Sequence, residues 1–152
     1  MPAERRLAPT PRRHRGPAEL EGARQVRVRV FCEEQGVDRE TELDDRDTEA
    51  IHLVAMERGK VIATCRLRPE GGEGGSCKLE RMAIDKDFRG IGLGRRLIEV
   101  SETEARREGA AEMLLHSQLP VRGFYERSGY EVTSEEVFLE DGLEHVRMRR
   151  AL

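Results

Sequence analysis

The sequence predicts a single domain of the α/β (α+β) class, and three observations carry that expectation. Segments of helical and strand periodicity alternate from Glu19 to the end of the chain with no long linker between them. A strand-like run ending at Ile84 feeds a glycine-rich turn, Arg89-Gly90-Ile91-Gly92-Leu93-Gly94, that opens a helix. Short turn signals at Arg58-Gly59-Lys60 and Glu140-Asp141-Gly142 join strand-like neighbours as hairpins do. A chain of 152 residues is long enough for one domain with its own core.

Taking the elements in order, residues 1–17 are the compositional outlier. Arg5, Arg6, Arg12, Arg13 and Arg15 alternate with Pro2, Pro9, Pro11 and Pro17, with almost nothing apolar to bury. Such a stretch cannot offset its ordering entropy, so a poorly ordered basic tail is expected there, with the domain spanning 18–152. A contact with nucleic acid or acidic lipid is the weaker alternative. The segment from Glu19 to Gln35 carries two periods. Val26-Arg27-Val28-Arg29-Val30 alternates as a strand does, while Leu20, Ala23, Arg27, Val30 and Glu34 follow helical spacing up to Gly36. Periodicity alone leaves both open.

Glu40 to Glu49 is acidic and is expected to be a surface loop. His52–Glu57 and Val61–Arg68 are strand-like, and Gly71, Gly72, Gly74 and Gly75 precede a third strand over Ser76–Ile84. Leu93, Leu97, Ile98, Ser101 and Ala105 then recur with helical spacing to about Arg107, with Gly109 as the C-terminal stop. Ala111–His116 reads as a strand ended before Pro120, and Val121–Gly129 as a short helix. The last hairpin joins Glu131–Leu139 to Glu144–Arg149.

Composition narrows the function classes. Lys and Arg number 27 against 30 Asp and Glu, a formal charge of −3, which argues against a dedicated nucleic-acid binder. No apolar run approaches the roughly 20 residues of a membrane-spanning helix. Cys32, Cys65 and Cys77 form no C-x-x-C pair, so no disulfide framework or zinc site is expected, and a reducing, cytoplasmic setting fits best. No His, Cys or Asp cluster has ligand spacing, so no metal is expected either.

Chemistry concentrates at the strand–glycine turn–helix junction. The first-turn N–H groups of a helix lack intrahelical acceptors and its dipole favours an anion there. The stretch is not a P-loop, since no Gly-Lys-Ser/Thr closes it. It is not G-x-G-x-x-G either, because Leu97 follows Gly92 and Gly94 at the third glycine position. From the turn alone, a phosphate site and a ligand-free tight connection are equally open.

Arg89-Gly90-Ile91-Gly92-Leu93-Gly94 resembles the Arg/Gln-x-x-Gly-x-Gly/Ala pyrophosphate loop of the GNAT superfamily of acetyl-CoA-dependent N-acetyltransferases. Phe124-Tyr125-Glu126-Arg127-Ser128-Gly129-Tyr130 resembles that superfamily's second signature. Val30-Phe31-Cys32-Glu33-Glu34-Gln35, His52, His116-Ser117-Gln118 and Glu140-Asp141-Gly142-Leu143-Glu144-His145 are similar to its ElaA-like branch. The resemblance covers residues 19–152. It implies a mixed, mostly antiparallel central sheet flanked by helices, with two central strands splayed to admit the cosubstrate, and it makes Glu19–Gln35 a helix. The family's first strand falls near residues 4–9, where Arg5-Arg6-Leu7-Ala8-Pro9 is a poor strand, so that edge is expected to be missing or irregular.

The resemblance also implies roles. The backbone of Met82, Ala83 and Ile84 would bind pantetheine and polarise the thioester carbonyl, and Gly90, Ile91, Gly92, Leu93 and Gly94 would hold the pyrophosphate. Arg89 and Arg95 would pair with its phosphates, the equal alternative for each being a solvated helix charge. Gln118 stands where many relatives carry a cofactor-contacting asparagine, and Phe124 precedes Tyr125 in the second signature. Tyr125 would protonate the departing thiolate, the alternative being a packed aromatic. For the general base, Glu80 and His116 compete, each with a structural alternative: an ordinary strand carboxylate paired with Arg81 or a neighbour, and a hydrogen-bonded histidine. Glu33 and Glu34, with the acidic loop around Asp44, Asp45 and Asp47, would attract a cationic acceptor, either a small amine or a peptide amine, unless they are simply a solvated face. The function expected is direct acetyl transfer from acetyl-CoA to an amine, with a homodimer allowed. The rival is a catalytically silent acyl-CoA-binding sensor.

Overall fold

The computed structural model describes residues 7–152. Its sheet is built from β1 (Arg12–Arg13), β2 (Ile51–Glu57), β3 (Lys60–Glu70), β4 (Ser76–Ile84), β5 (Glu112–Gln118), β6 (Glu131–Val132), β7 (Phe138–Glu140) and β8 (Leu143–Ala151). The order is β1-β2-β3-β4-β5-β8-β6, with β7 also on β8. Every pairing is antiparallel except β4 with β5. Two hairpins have two-residue turns with both residues at positive φ: Arg58 (50°) with Gly59 (79°), and Asp141 (53°) with Gly142 (77°). Turns of that hand match the right-handed twist of the strands they join.

The helices are α1 (Gly16–Arg27), α2 (Arg39–Glu42), α3 (Leu93–Arg107) and α4 (Arg122–Arg127). Leu93, Leu97, Ile98 and Ala105 form the apolar stripe of α3 and pack on Leu53, Leu67, Leu79, Met113 and Met148 of the sheet. The opposite face is covered by α1, where Ala23 and Val26 meet Val54, Val61 and Ala83. From Val28 to Glu34 that helix continues as a π-helix, placing Val30 in the same cluster. A helix therefore wins over the alternating pattern. Val26, Arg27, Val28 and Val30 are all buried, so neither period alone describes the segment.

Two sequence expectations change here. Residues 1–6 lie outside the described residues. The stretch expected to be a loose tail nonetheless contributes β1 and the start of α1, so the domain reaches back before residue 18. Leu7–Pro9, the described part of the expected stretch, is not strand, and among the described residues the first strand is Arg12–Arg13, held by main-chain pairing to Val54 and Leu53. It needs no apolar side chains, because Arg12 pairs with Glu19 at 2.7 Å and Arg13 with Glu104 at 2.6 Å.

The acidic stretch lies at the surface as expected, but it is not irregular throughout. It folds into α2 and a 3-10 turn over Asp45–Glu49, burying Glu42 and Asp47. Their partners are two buried arginines. Arg27 reaches Glu42 at 2.7 Å and Asp47 at 2.8 Å, and Arg66 reaches Asp44 at 2.6 Å and Asp47 at 2.9 Å. Burial raises the pKa of Asp47, but the hydrogen bonds and charge of Arg27, with those of Arg66 and Arg24, overcome it and hold the group at about 2. Glu42, Asp44 and Asp47 are thus paired within the fold, while Glu40, Asp45 and Glu49 stay exposed.

Candidate active site

Strands β4 and β5 pair only from Ser76 with Glu112 to Leu79 with Leu115. Beyond that point they diverge, and a cleft of about 630 Å³ opens between them. On the β4 side the separation is helped by a bulge. Thr64 pairs with Ala83 and Arg66 with Glu80, leaving Arg81 and Met82 opposite the single residue Cys65. Arg81 takes φ of +55°, an unusual conformation for a non-glycine residue. Its guanidinium lies among Glu42 at 3.3 Å, Asp44 at 3.4 Å and Asp141 at 3.7 Å, contacts that hold the bulge between α2 and the β7–β8 turn.

One end of the cleft is the glycine turn. Gly92 is the N-cap of α3 with φ of +83°, and a Cβ built there or on Gly90 would meet nothing within 4 Å. The turn is therefore left-handed and open on its outer side, as close approach by a phosphate requires. Gly94 has a different reason, since a Cβ there would stand 3.0 Å from the Phe124 ring. Gly90, Gly92, Leu93, Gly94 and Phe124 all line the cleft, as do Met82 and Ile84. Ala83 faces the other side of the sheet in the α1 cluster, and Ile91 packs against the main core without lining the cleft.

The two arginines differ from a simple phosphate clamp. Arg89 lines the cleft but donates to the Ile84 carbonyl at 2.9 Å and pairs with Glu34 at 2.9 Å. Arg95 is four-fifths exposed and pairs with Glu99 one turn along α3. Across the opening, Gln118 Nε2 donates to Gln35 Oε1 at 3.0 Å. The end of the π-helix thus clips both walls, through Glu34 on one side and Gln35 on the other. Glu33 is exposed and does not line the cleft, so the structure separates it from Glu34.

Tyr125 projects from α4 with its hydroxyl 3.9 Å from Met82 Sδ. Its ring packs edge-on to Phe124 and Tyr130, and burial pushes the phenol well above its ordinary pKa. Glu80 is present in the cleft wall with both carboxylate oxygens engaged. Arg68 donates to one in a short contact, and Arg66 donates to the other at 3.1 Å. Burial would raise its pKa, but the bond from Arg68 and the charge of Arg66 keep it below the usual carboxylate range. His116 stands on β5, its Nδ1 at 3.0 Å from Glu140 of β7. The sequence reading had no chemical role for Glu140 or His145. The Asp-Gly turn that brings β7 beside β8 was the available signal.

These features suit a thioester carrying a diphosphate: an anion seat at one end, a narrow passage along β4, and a phenol at the splaying point. Residues 19–152 match the acetyltransferase (GNAT) domain family. The chain belongs to the GNAT acetyltransferase family. A Bacillus subtilis (strain 168) protein named as an acetyltransferase is 37% identical over 135 residues, covering 87% of this chain and 89% of that protein. The crystal structure of an N-acetyltransferase from Lactobacillus plantarum superposes with a TM-score of 0.85 at 31% identity, over 94% of this chain and 97% of that one. Escherichia coli ElaA shares the fold, with a TM-score of 0.79 at 21% identity over 90% and 93% of the two chains. Two more distant GNAT-fold structures, an aminoglycoside 6'-N-acetyltransferase and a protein from Elizabethkingia anophelis, were solved with coenzyme A and acetyl-CoA respectively. As a GNAT enzyme the chain is an acyltransferase. Among the described residues, no helix is long and apolar enough to cross a membrane.

Proposed function

We propose that this GNAT enzyme transfers the acetyl group of acetyl-CoA directly to an amine, with no covalent enzyme intermediate. The observation that carries the reading is the continuity of one cleft from the Gly90–Gly94 turn at the N-terminus of α3 to the Tyr125 hydroxyl. Bound there, acetyl-CoA supplies an acetyl carbon already activated as a thioester. First-turn N–H groups of α3 receive the diphosphate, where the helix dipole adds to their attraction. The stretch of β4 past Leu79 has no ladder partner on the β5 side, so its main chain is free to orient pantetheine and the carbonyl oxygen. Tyr125 keeps its proton because its phenol is buried, and it delivers that proton to the departing thiolate.

Arg89 stiffens the turn through Ile84 and Glu34 and acts on the diphosphate at longer range. The acceptor enters where Val30, Phe31, Gln35 and Leu143 line the cleft opposite the glycine turn. A panel of primary amines (polyamines, aminoglycosides and peptide N-termini) incubated with acetyl-CoA tests the reading by thiol release and by mass of the product. At least one amine is expected to gain the mass of an acetyl group in step with thiol release. Tight acetyl-CoA binding with no transfer to any amine would instead favour a silent acyl-CoA sensor.

A further inference from the structure

The acetyl-transfer reading leaves open which group accepts the amine proton, and the sheet register supplies an answer. On β8 the residues Leu143, His145 and Arg147 alternate onto one face, and their register partners lie on the flanking strands. Gln118 is opposite His145, His116 is opposite Arg147, and across the hairpin Phe138 faces His145 and Glu140 faces Leu143. One face of three strands therefore gathers His116, Glu140 and His145, although 24 residues separate His116 from Glu140.

The hydrogen bonds fix the chemistry of this group. A carboxylate only accepts, so His116 Nδ1, 3.0 Å from Glu140 Oε1, carries the proton of the neutral ring. That leaves Nε2 as a lone pair. The second oxygen of Glu140 lies 3.6 Å from His145 Nε2, and His145 is itself oriented by Nδ1 donating to the Leu143 carbonyl at 2.7 Å. Phe138 packs edge-on to His116 and stacked on His145, with Arg147 4.3 Å over its ring. His116 and Glu140 are a quarter and a third exposed, whereas His145 is almost covered. Both histidines line the cleft, and His116 is the more exposed of the two.

We propose that His116 Nε2 accepts the proton of the acceptor's ammonium group, and that Glu140 is the residue that positions it. This assignment rests on the acetyl-transfer reading. An ammonium N–H bond breaks as an Nε2–H bond forms, and the Glu140 carboxylate stabilises the resulting imidazolium. The neutral amine forms its C–N bond to the thioester carbon, and the C–S bond breaks as the thiolate takes the Tyr125 proton. Tyr125 recovers a proton from the acetylated nitrogen, and the imidazolium releases its own to solvent. Glu80 is the weaker base, since Arg66 and Arg68 already hold both of its oxygens. Lys78, Glu80 and Arg81 of β4, Glu140 of β7, Asp141 of the turn and His145 of β8 line the same cleft as His116, and Arg147 of β8 is its register partner.

The test begins without an acceptor, by following the 15N resonances of the imidazole rings of the full chain through a pH titration. Neutral His116 should carry its proton on Nδ1, and in Glu140→Ala, which leaves Nδ1–H without that acceptor, the preference should be lost. A wild-type ring protonated on Nε2, or a preference unchanged in Glu140→Ala, overturns the proposal. With acetyl-CoA and a reactive amine from the panel, His116→Gln and Glu140→Gln should each lower kcat/KM by about 100-fold. Acetyl-CoA affinity should stay as in wild type. Full activity in both variants beside an inactive Tyr125→Phe would sink the base assignment while leaving acetyl transfer intact. A wild-type protein that acetylates no amine would remove the transfer reading and the base assignment with it, whatever the ring titration gives.

Discussion

Tyr125 is where a single atom decides most. Its hydroxyl is the proposed proton donor, while its ring packs against Phe124 and Tyr130. Tyr125→Phe keeps the ring and deletes only the oxygen, so turnover should fall by about 100-fold or more with acetyl-CoA binding and Tm near wild type. Steady-state kinetics beside a melting curve checks this. Asp47 makes the opposite kind of prediction, about stability. Its carboxyl is held at about 2 in the folded chain, against roughly 3.9 when unfolded. A depressed carboxyl contributes stability fully above its unfolded value, and that contribution is lost as pH falls toward the folded one. Wild type should therefore lose stability between about pH 5 and pH 2, and Asp47→Asn should lose less over that window. At neutral pH, Asp47→Asn should cost about 3 kcal/mol by urea unfolding, because it leaves Arg27 and Arg66 short of a buried partner.

Among the elements, the β7–β8 hairpin carries most of what is new in the site. Asp141 and Gly142 both sit at positive φ, and Gly142→Ala adds a left-handed alanine costing about 1 kcal/mol. Urea unfolding should read that loss, and amide exchange should rise first in the hairpin that holds Glu140. This turn was legible in the sequence because Asp-Gly between strand-like runs is a local signal. Ser76–Ile84 and Leu93–Arg107 were legible for the same reason, and both occur with those bounds. The helix from Gly16 was not legible from periodicity, and only the family resemblance pointed to it. Its character depends on burying Arg27 against Glu42 and Asp47, 15 and 20 residues away. β1 was equally hidden, since main-chain pairing and ion pairs hold it without an apolar pattern. The glycine turn and Tyr125 could be found from neighbouring residues, whereas the His116–Glu140 pair needed the register of three strands.

For the whole molecule, two helical layers hold an open sheet whose central pair is allowed to part. The α3 layer packs on the paired half of β4 and β5 through Cys77, Leu79, Met113 and Leu115, whereas the α1 layer reaches the splayed half of β4 through Ala83. The N-terminal arm belongs to that support rather than to the site. Deleting residues 1–15 removes the edge strand and the pairs of Arg12 and Arg13, which are partly exposed. The expected loss is about 1 kcal/mol, or a fall in Tm of about 2–4 °C. Acetyl-CoA affinity should not change, since no described residue of the arm lines the cleft.

The central claim is that the turn before α3 seats the diphosphate of acetyl-CoA, and calorimetric titration tests it most directly. Acetyl-CoA would be titrated into the wild-type chain and into Gly92→Glu, which sets a Cβ and a negative charge where the turn is left-handed and open. The account predicts micromolar binding to wild type and none to a variant that still folds. Equal binding by both proteins, or none by wild type, would contradict it.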